Sequence, residues 1–158
     1  MKNCGTTFEI TDLPADYYPD TFRSEKRPRI LCVENDTPVR NAICSTLNGR
    51  GWHCEGASGG ADALQALAAC PESIDIVVAS HRMAEMTGTE FVRKVRARTT
   101  FTGKILVRTV RLLRREQADY EELEVDAIIP DVGSTDALLK AIEKFHQDKP
   151  SKQLNEHF

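Results

Sequence analysis

Short apolar runs alternate with longer amphipathic segments along most of this 158-residue chain. A run of about five apolar residues between polar turns is typical of a buried strand, whereas apolar residues three and four positions apart are typical of a helix. Strands are predicted at 29–33, 52–57, 74–79, 104–109 and 125–129. Because a helical segment follows each strand, the pattern predicts an α/β fold in which helices cover both faces of a parallel sheet.

Capping residues and apolar positions place the five predicted helices. Thr37 is predicted as the N-cap of the first helix and Ser58 as that of the second. The others are predicted at 90–98, 111–123 and 134–145. The third and fifth helices have a clear apolar face, but the fourth has only a weak one, at Leu112 and Ala118.

The two ends of the chain lack this alternation. Residues 1–27 are predicted to form an irregular N-terminal arm, residues 28–146 the folded domain, and residues 147–158 a flexible C-terminal tail. No apolar run approaches the roughly 20 residues that a bilayer span needs, and the N-terminus lacks the apolar core of a signal peptide. We therefore expect a cytoplasmic protein with no membrane partner.

The net charge of -3 gives no global reason to expect a nucleic-acid partner. Locally, however, nine basic residues and no acidic one lie between Arg93 and Arg115. Such a cluster can attract an acidic protein or a nucleic-acid backbone, or it can simply be solvated. The candidate interaction face consists of Arg108, Arg111, Arg114 and Arg115. Since no helix-turn-helix follows the domain, nucleic acid is the less favoured partner.

The five cysteines are scattered, with no C-x-x-C pair and no histidine at zinc-finger spacing. They are Cys4, Cys32, Cys44, Cys54 and Cys70. We expect reduced thiols, several of them buried as small hydrophobic residues.

Polar residues follow the third predicted strand, in the order Ser80, His81, Arg82. In open parallel sheets the reactive or ligand-binding groups lie just past the carboxyl ends of the strands, so any chemistry is expected there. No other histidine is close in sequence, and His81 is therefore interpreted as an ordinary loop residue.

Four stretches, in the correct order, resemble the receiver domain of two-component response regulators. They are 30–40, 57–64, 83–91 and 126–130. The resemblance implies a flavodoxin-like fold, with a five-stranded parallel sheet in the order 2-1-3-4-5 flanked by five helices.

The resemblance also identifies the positions on which the family's function depends, and several carry the wrong residue. The acidic pair after the first strand is Glu34 and Asn35, and the phosphoacceptor aspartate falls on Ser80. The switch residue is retained as Thr109, whereas the lysine after the fifth strand falls on Asp131. The resemblance therefore implies a degenerate receiver, or pseudo-receiver.

These departures remove the chemistry of phosphotransfer. Ser80 is an alcohol and cannot form an acyl phosphate, and the loss of two carboxylates leaves Glu34 as a weak candidate ligand for Mg²⁺. We expect weak or absent Mg²⁺ binding, no other cofactor, no catalytic residue and no enzymatic activity. A hypothesis for the pocket is that Arg82 or Arg108 pairs with Glu34 and Asp131 in place of the metal and the lysine.

Three functions remain open. The favoured one is a non-canonical receiver that acts in signal transduction through phosphorylation-independent protein contacts with a histidine kinase, a regulator or a second copy of itself. The second is an atypical phosphorelay receiver that is still phosphorylated in the pocket. The third is a flavin- or nucleotide-binding protein or enzyme on the same fold, although no G-x-G-x-x-G motif follows the first strand.

Overall fold

The fold is a five-stranded parallel sheet with helices on both faces, as the sequence predicts. A computed structural model describes residues 27–147, and the side chain of Gln147 is not described. The strands are β1 (Arg29–Val33), β2 (His53–Ala57), β3 (Ile76–Ser80), β4 (Lys104–Thr109) and β5 (Ala127–Pro130). They pair in parallel in the order β2-β1-β3-β4-β5. The predicted fold class is confirmed.

Five α-helices connect the strands, in the sequence β1-α1-β2-α2-β3-α3-β4-α4-β5-α5. They are α1 (Thr37–Gly49), α2 (Gly60–Ala69), α3 (Gly88–Arg98), α4 (Arg114–Glu122) and α5 (Asp136–Gln147), with a short 3-10 helix at Pro71–Ser73. No helix within residues 27–147 has the length and apolar character needed to cross a membrane. The predicted N-terminal arm and C-terminal tail lie outside the described residues, apart from Arg27 and the backbone of Gln147.

Two hydrophobic layers, one on each side of the sheet, form the core. Neighbouring residues of a strand point to opposite faces, so Leu31 belongs to one layer and Cys32 to the other. Helices α2, α3 and α4 cover the first layer, and α1 and α5 cover the second. The strands read as continuous apolar runs because both faces of the sheet are buried.

Both predicted N-caps differ from those in the structure. Asp36 caps α1, since its carboxylate accepts a hydrogen bond from the Val39 amide at 3.1 Å, and Thr37 is already helical. Gly59 is the N-cap of α2 and makes no side-chain bond, while the Ser58 hydroxyl bonds to the Asp62 carboxylate. The capping carboxylate of Asp36 is therefore engaged at the helix end.

The fourth helix is shorter than predicted, and its buried face is different. It begins at Arg114, so Leu112 packs on the core from the preceding loop. Ala118 is exposed, and Tyr120 is the helix residue that is fully buried. The weak apolar stripe was misleading because one aromatic side chain anchors a helix that is otherwise polar.

Candidate functional site

Arg108, near the carboxyl end of β4, is a buried cation held between two carboxylates. It is only 8% exposed. One guanidinium nitrogen lies 3.0 Å from Asp131 Oδ2, and the other lies 3.9 Å from Glu34 Oε1. The three residues continue the side of the sheet that carries Cys32, Leu106 and Ile129, which is the side covered by α1 and α5. Strand alternation therefore brings together one charge from β4 and two from the residues that follow β1 and β5.

Of the two ion pairs that Arg108 forms, the one with Glu34 is the more deeply buried. Glu34 is 7% exposed, so its carboxylate has little access to water. An ionised group in such a place is stable only when an opposite charge or hydrogen bonds compensate for its lost hydration. Asp131 retains 38% of its side-chain exposure, and its attraction to Arg108 is weakened by solvent. Removing Arg108 should therefore cost stability mainly through Glu34.

Arg82 does not take part in this network. It is exposed and forms no ion pair with any residue between 27 and 147. Its backbone instead forms an isolated antiparallel bridge with Thr87, across the loop that leads into α3. Of the two arginines considered for the pocket, only Arg108 lies beside Glu34 and Asp131.

Ser80 ends β3 beside Arg108, which is its register partner in β4. Its hydroxyl donates a hydrogen bond to the Arg82 carbonyl at 3.1 Å. An alcohol becomes a useful nucleophile when a neighbouring base takes its proton. A backbone carbonyl cannot do so, and the hydroxyl of Ser80 is therefore in a structural rather than a reactive arrangement.

The residues at this edge do not fit a Mg²⁺ ion. Magnesium requires several oxygen ligands in near-octahedral geometry, usually including one or two free carboxylates. Here Glu34 faces a guanidinium, Asn35 is exposed, and Asp36 is engaged as the cap of α1. Within the described part of the chain, no group of three or more His, Cys, Asp or Glu residues is arranged to hold a metal.

Thr109 is engaged locally by the loop after β4. Its hydroxyl donates to the Arg111 carbonyl at 2.9 Å and accepts from the Arg111 amide at 3.2 Å. The Thr109 carbonyl accepts from the Asp131 amide at 2.8 Å. Thr109 thus fixes the start of the β4–α4 loop and connects it to the segment that carries Asp131.

His81 lies in the loop after β3, as interpreted from the sequence, but its side chain is buried. It is 4% exposed, and its Nδ1 lies 2.6 Å from the Tyr120 hydroxyl. Its Nε2 lies 3.4 Å from Glu116 Oε1. The hydrogen bond from the Leu113 amide lowers the pKa of Glu116, which keeps that carboxylate charged beside the imidazole. The network joins the end of β3 to α4.

Gly88 leaves room for this network. A Cβ atom at Gly88 would meet the Tyr120 hydroxyl and would come within 2.9 Å of the His81 Cα. The first residue of α3 must therefore lack a side chain so that the hydroxyl can approach the backbone. The one sequence signal for this contact is a single tyrosine in a helix that is otherwise poor in apolar residues.

The candidate interaction face is smaller than predicted. Arg111, Arg114 and Arg115 are exposed, whereas Arg108 is buried between its carboxylates and is not available to a partner. Two large apolar side chains of the loop between β4 and α4 are also open to solvent, Val110 at 79% and Leu113 at 52% exposure. A surface that combines arginines with exposed apolar side chains is characteristic of protein–protein contacts.

The chain belongs to the response regulator receiver family. The model of the response regulator receiver domain matches residues 30–146, which is most of the chain and spans the elements described above except for the first residue of β1 and the last residue of α5. Receiver domains are signalling modules, generally without enzymatic activity of their own, that interact with proteins such as kinases. No curated protein sequence matches the chain significantly.

Solved structures of receiver domains agree with this assignment. A response regulator receiver protein from Pseudomonas putida is 25% identical with a TM-score of 0.69, over 75% of this chain and 98% of that one. The non-phosphorylated HemR receiver domain from Leptospira biflexa is 22% identical with a TM-score of 0.68, over 76% and 94%. The chemotaxis protein CheY4 of Vibrio cholerae is 22% identical with a TM-score of 0.66, over 76% and 99%.

Replacing Arg108 by methionine should lower the free energy of unfolding by about 3 kcal/mol, because Glu34 is left as a buried charge without its partner. Urea denaturation measures the effect. The additional change Glu34→Gln should restore part of the loss, since it removes the uncompensated charge.

Arg82→Met is the matched control, because it removes the same charge from the exposed neighbour. Its free energy of unfolding should stay within about 0.5 kcal/mol of that of the wild type. Equal midpoints for Arg108→Met and the wild type would show that the buried pair does not stabilise the fold.

Tyr120 should make the domain sensitive to alkaline pH. Burial raises its pKa from 10.0 to about 12, so the folded state holds this proton more tightly than the unfolded state. Its contribution is complete below pH 10 and is lost as the pH rises through 12, by about 2 to 3 kcal/mol in total.

The measurement is urea unfolding at pH 9 and pH 11.5 for the wild type and Tyr120→Phe. The variant should be less stable at pH 9 by about 1 kcal/mol, because His81 loses a hydrogen-bond partner. It should then lose less stability than the wild type between the two pH values. Parallel losses in the two proteins would contradict the assignment.

Proposed function

We propose that this receiver acts in signal transduction through protein contacts that do not depend on phosphorylation of its pocket, and that it does so in the cytoplasm. The observation that carries the proposal is the position of Arg108. Its guanidinium pairs with the carboxylates of Glu34 and Asp131, at the edge where phosphotransfer to a receiver would take place. The protein's own cation already neutralises the charge there.

The chemistry of Ser80 supports the same proposal. Transfer of a phosphoryl group to a carboxylate produces an acyl phosphate, and positioned metal and basic groups neutralise the charge that develops. A serine would instead require a base for its proton, and the hydroxyl of Ser80 donates only to the Arg82 carbonyl. An arginine is always protonated and cannot serve as that base.

The exposed arginines at the start of α4 and in the loop before it, here called the α4 face, provide the most suitable contact surface. It consists of Arg111, Arg114 and Arg115, which are exposed and are close in sequence to the exposed Val110 and Leu113. Opposite charges speed association and orient a partner, while the apolar side chains supply buried area in the complex. We therefore propose an acidic protein surface as the partner, on a histidine kinase, a regulator or a second copy of the chain.

The alternative of a flavin or nucleotide binder has no specific observation in its favour. Residues Glu34, Asn35 and Asp36 follow β1, where a phosphate would require a glycine-rich loop with free amides.

Incubation with Mg²⁺ and acetyl phosphate should leave the intact mass of the protein unchanged. Beryllofluoride with Mg²⁺ should likewise leave the amide NMR signals around Thr109 in place, because neither ion can displace the guanidinium from the two carboxylates. A phospho-adduct on Ser80, or a metal-dependent shift of these signals, would support the atypical phosphorelay alternative instead.

Reversing the charge of the α4 face should weaken partner binding, whereas removing the Ser80 hydroxyl should not. The test compares protein captured from cells that make this chain by the wild type, by Ser80→Ala and by the double variant Arg114→Glu with Arg115→Glu. The double variant should lose the partner at least tenfold, and its residual binding should depend less on salt.

Arg93→Glu with Arg98→Glu is the matched control, since it changes the net charge equally on the exposed side of α3. Loss of the partner in both double variants would indicate a general charge effect. Loss of the partner in Ser80→Ala would indicate that the pocket, rather than the α4 face, carries the signal.

A further inference from the structure

Three free cysteines meet on the side of the sheet that α1 covers. They are Cys32 in β1, Cys44 in α1 and Cys54 in β2. The sulfur of Cys54 lies 3.2 Å from that of Cys44 and donates a hydrogen bond to it, and the thiol of Cys32 also donates to Cys44. The prediction of reduced thiols holds for these three, whereas Cys70 is disulfide-bonded and the prediction is wrong there.

The fold itself explains the meeting. Cys54 pairs in register with Ile30 and points, like Cys32, into the layer beneath α1. Cys44 follows Ile43, which anchors α1 on the same layer. The three cysteines are at least ten residues apart in sequence. They are neighbours in the structure because α1, which carries Cys44, packs across the strands that carry Cys32 and Cys54.

Exposure distinguishes the three sulfurs. Cys32 and Cys54 are 1% and 7% exposed, whereas Cys44 is only partly buried. A small reagent from solvent therefore reaches Cys44 first, and Cys54 lies directly behind it.

The pKa values of the thiols also identify Cys44 as the most reactive of the three. Hydrogen bonds from Cys32 and Cys54, aided by the nearby Arg40 guanidinium, lower the pKa of Cys44 to about 6 despite its partial burial. Burial raises the pKa of Cys54, and its bond to Cys44 adds to that rise. The thiolate is the reactive form of cysteine, so one reactive sulfur lies in contact with one protonated thiol.

We propose that Cys44 and Cys54 form a peroxide-sensitive site that closes into a reversible disulfide between α1 and β2. The thiolate of Cys44 attacks one oxygen of hydrogen peroxide, the O–O bond breaks, and the departing hydroxide takes up a proton to form water. Cys44 is then a sulfenic acid. The sulfur of Cys54 attacks it, its proton and the sulfenic hydroxyl leave as a second water, and the S–S bond forms.

The geometry favours this closure over the alternatives. A disulfide bond is about 2.05 Å long, so the two sulfurs must approach by only about 1 Å. Metal binding is not supported, because within residues 27–147 no three such side chains are arranged to hold an ion.

The cross-link would act close to the pocket edge. Arg40, one helical turn before Cys44, donates to the Glu34 carbonyl at 2.7 Å, and its side chain lies against Gly56 of β2. Fastening α1 to β2 would restrict the helix that carries this contact. The proposal does not rest on the protein-contact function above, since it uses none of the residues of the α4 face.

Peptide mapping of the full chain tests the site. The protein is treated with hydrogen peroxide, its remaining thiols are blocked, and it is cut with trypsin and a glutamate-specific protease without reduction. Cys32, Cys44 and Cys54 then fall on separate fragments, at 30–34, 41–50 and 51–55. We expect fragments 41–50 and 51–55 to be joined, with the loss of two hydrogen atoms, and to separate on reduction with dithiothreitol.

Serine variants distinguish the roles of the three cysteines. Cys54→Ser should abolish the joined fragment and leave a sulfenic acid on Cys44 that dimedone traps, whereas Cys44→Ser should abolish both products. Cys32→Ser is the matched control and should retain the joined fragment. Circular dichroism checks that each variant is folded.

Two results would overturn the proposal. One is an unmodified Cys44 in peroxide-treated wild-type protein. The other is a joined fragment that links 30–34 with 41–50, because Cys32 rather than Cys54 would then be the resolving thiol.

Discussion

The charge balance around Arg108 is the constraint on which the carboxyl edge of this domain depends. A guanidinium that is 8% exposed needs anions close by, and Glu34 and Asp131 supply them from the ends of two other strands. In return, the guanidinium allows Glu34 to remain buried as a carboxylate. The side chain of Arg108 in β4 thus connects the residues that follow β1 and β5, at the edge of the sheet where receivers carry out phosphotransfer.

The architecture of the domain could be predicted from the sequence because its signals are local and repeated. Apolar runs of strand length, followed by amphipathic segments, give the order of elements, and strand limits such as 29–33 and 104–109 agree with the structure. The resemblance to receivers supplied the strand order, which periodicity alone does not contain. Helix starts were less accurate, because Asp36 and Gly59 cap helices for which the adjacent Thr37 and Ser58 are equally plausible by type.

The side-chain contacts at the site were only partly predictable. The sequence placed Glu34, Arg108 and Asp131 near the same strand ends, but the choice of Arg108 over Arg82 required the positions of the two side chains in the structure. His81 and Tyr120 are 39 residues apart in sequence and meet only through the packing of α4 on α3. The same is true of Cys44 and Cys54, whose contact depends on how α1 crosses β2. Sequence spacing carries no information about such contacts, since each is decided by tertiary packing.

The buried arginine also determines what a carboxylate introduced at Ser80 would encounter. An aspartate there would add a third carboxylate beside Glu34 and Asp131, with the Arg108 guanidinium to balance all three. Removing Arg108 as well would leave Glu34 as a buried charge without its partner. A substitution at Ser80 therefore changes the charge balance of the whole edge, and the residues of this edge act as one coupled set.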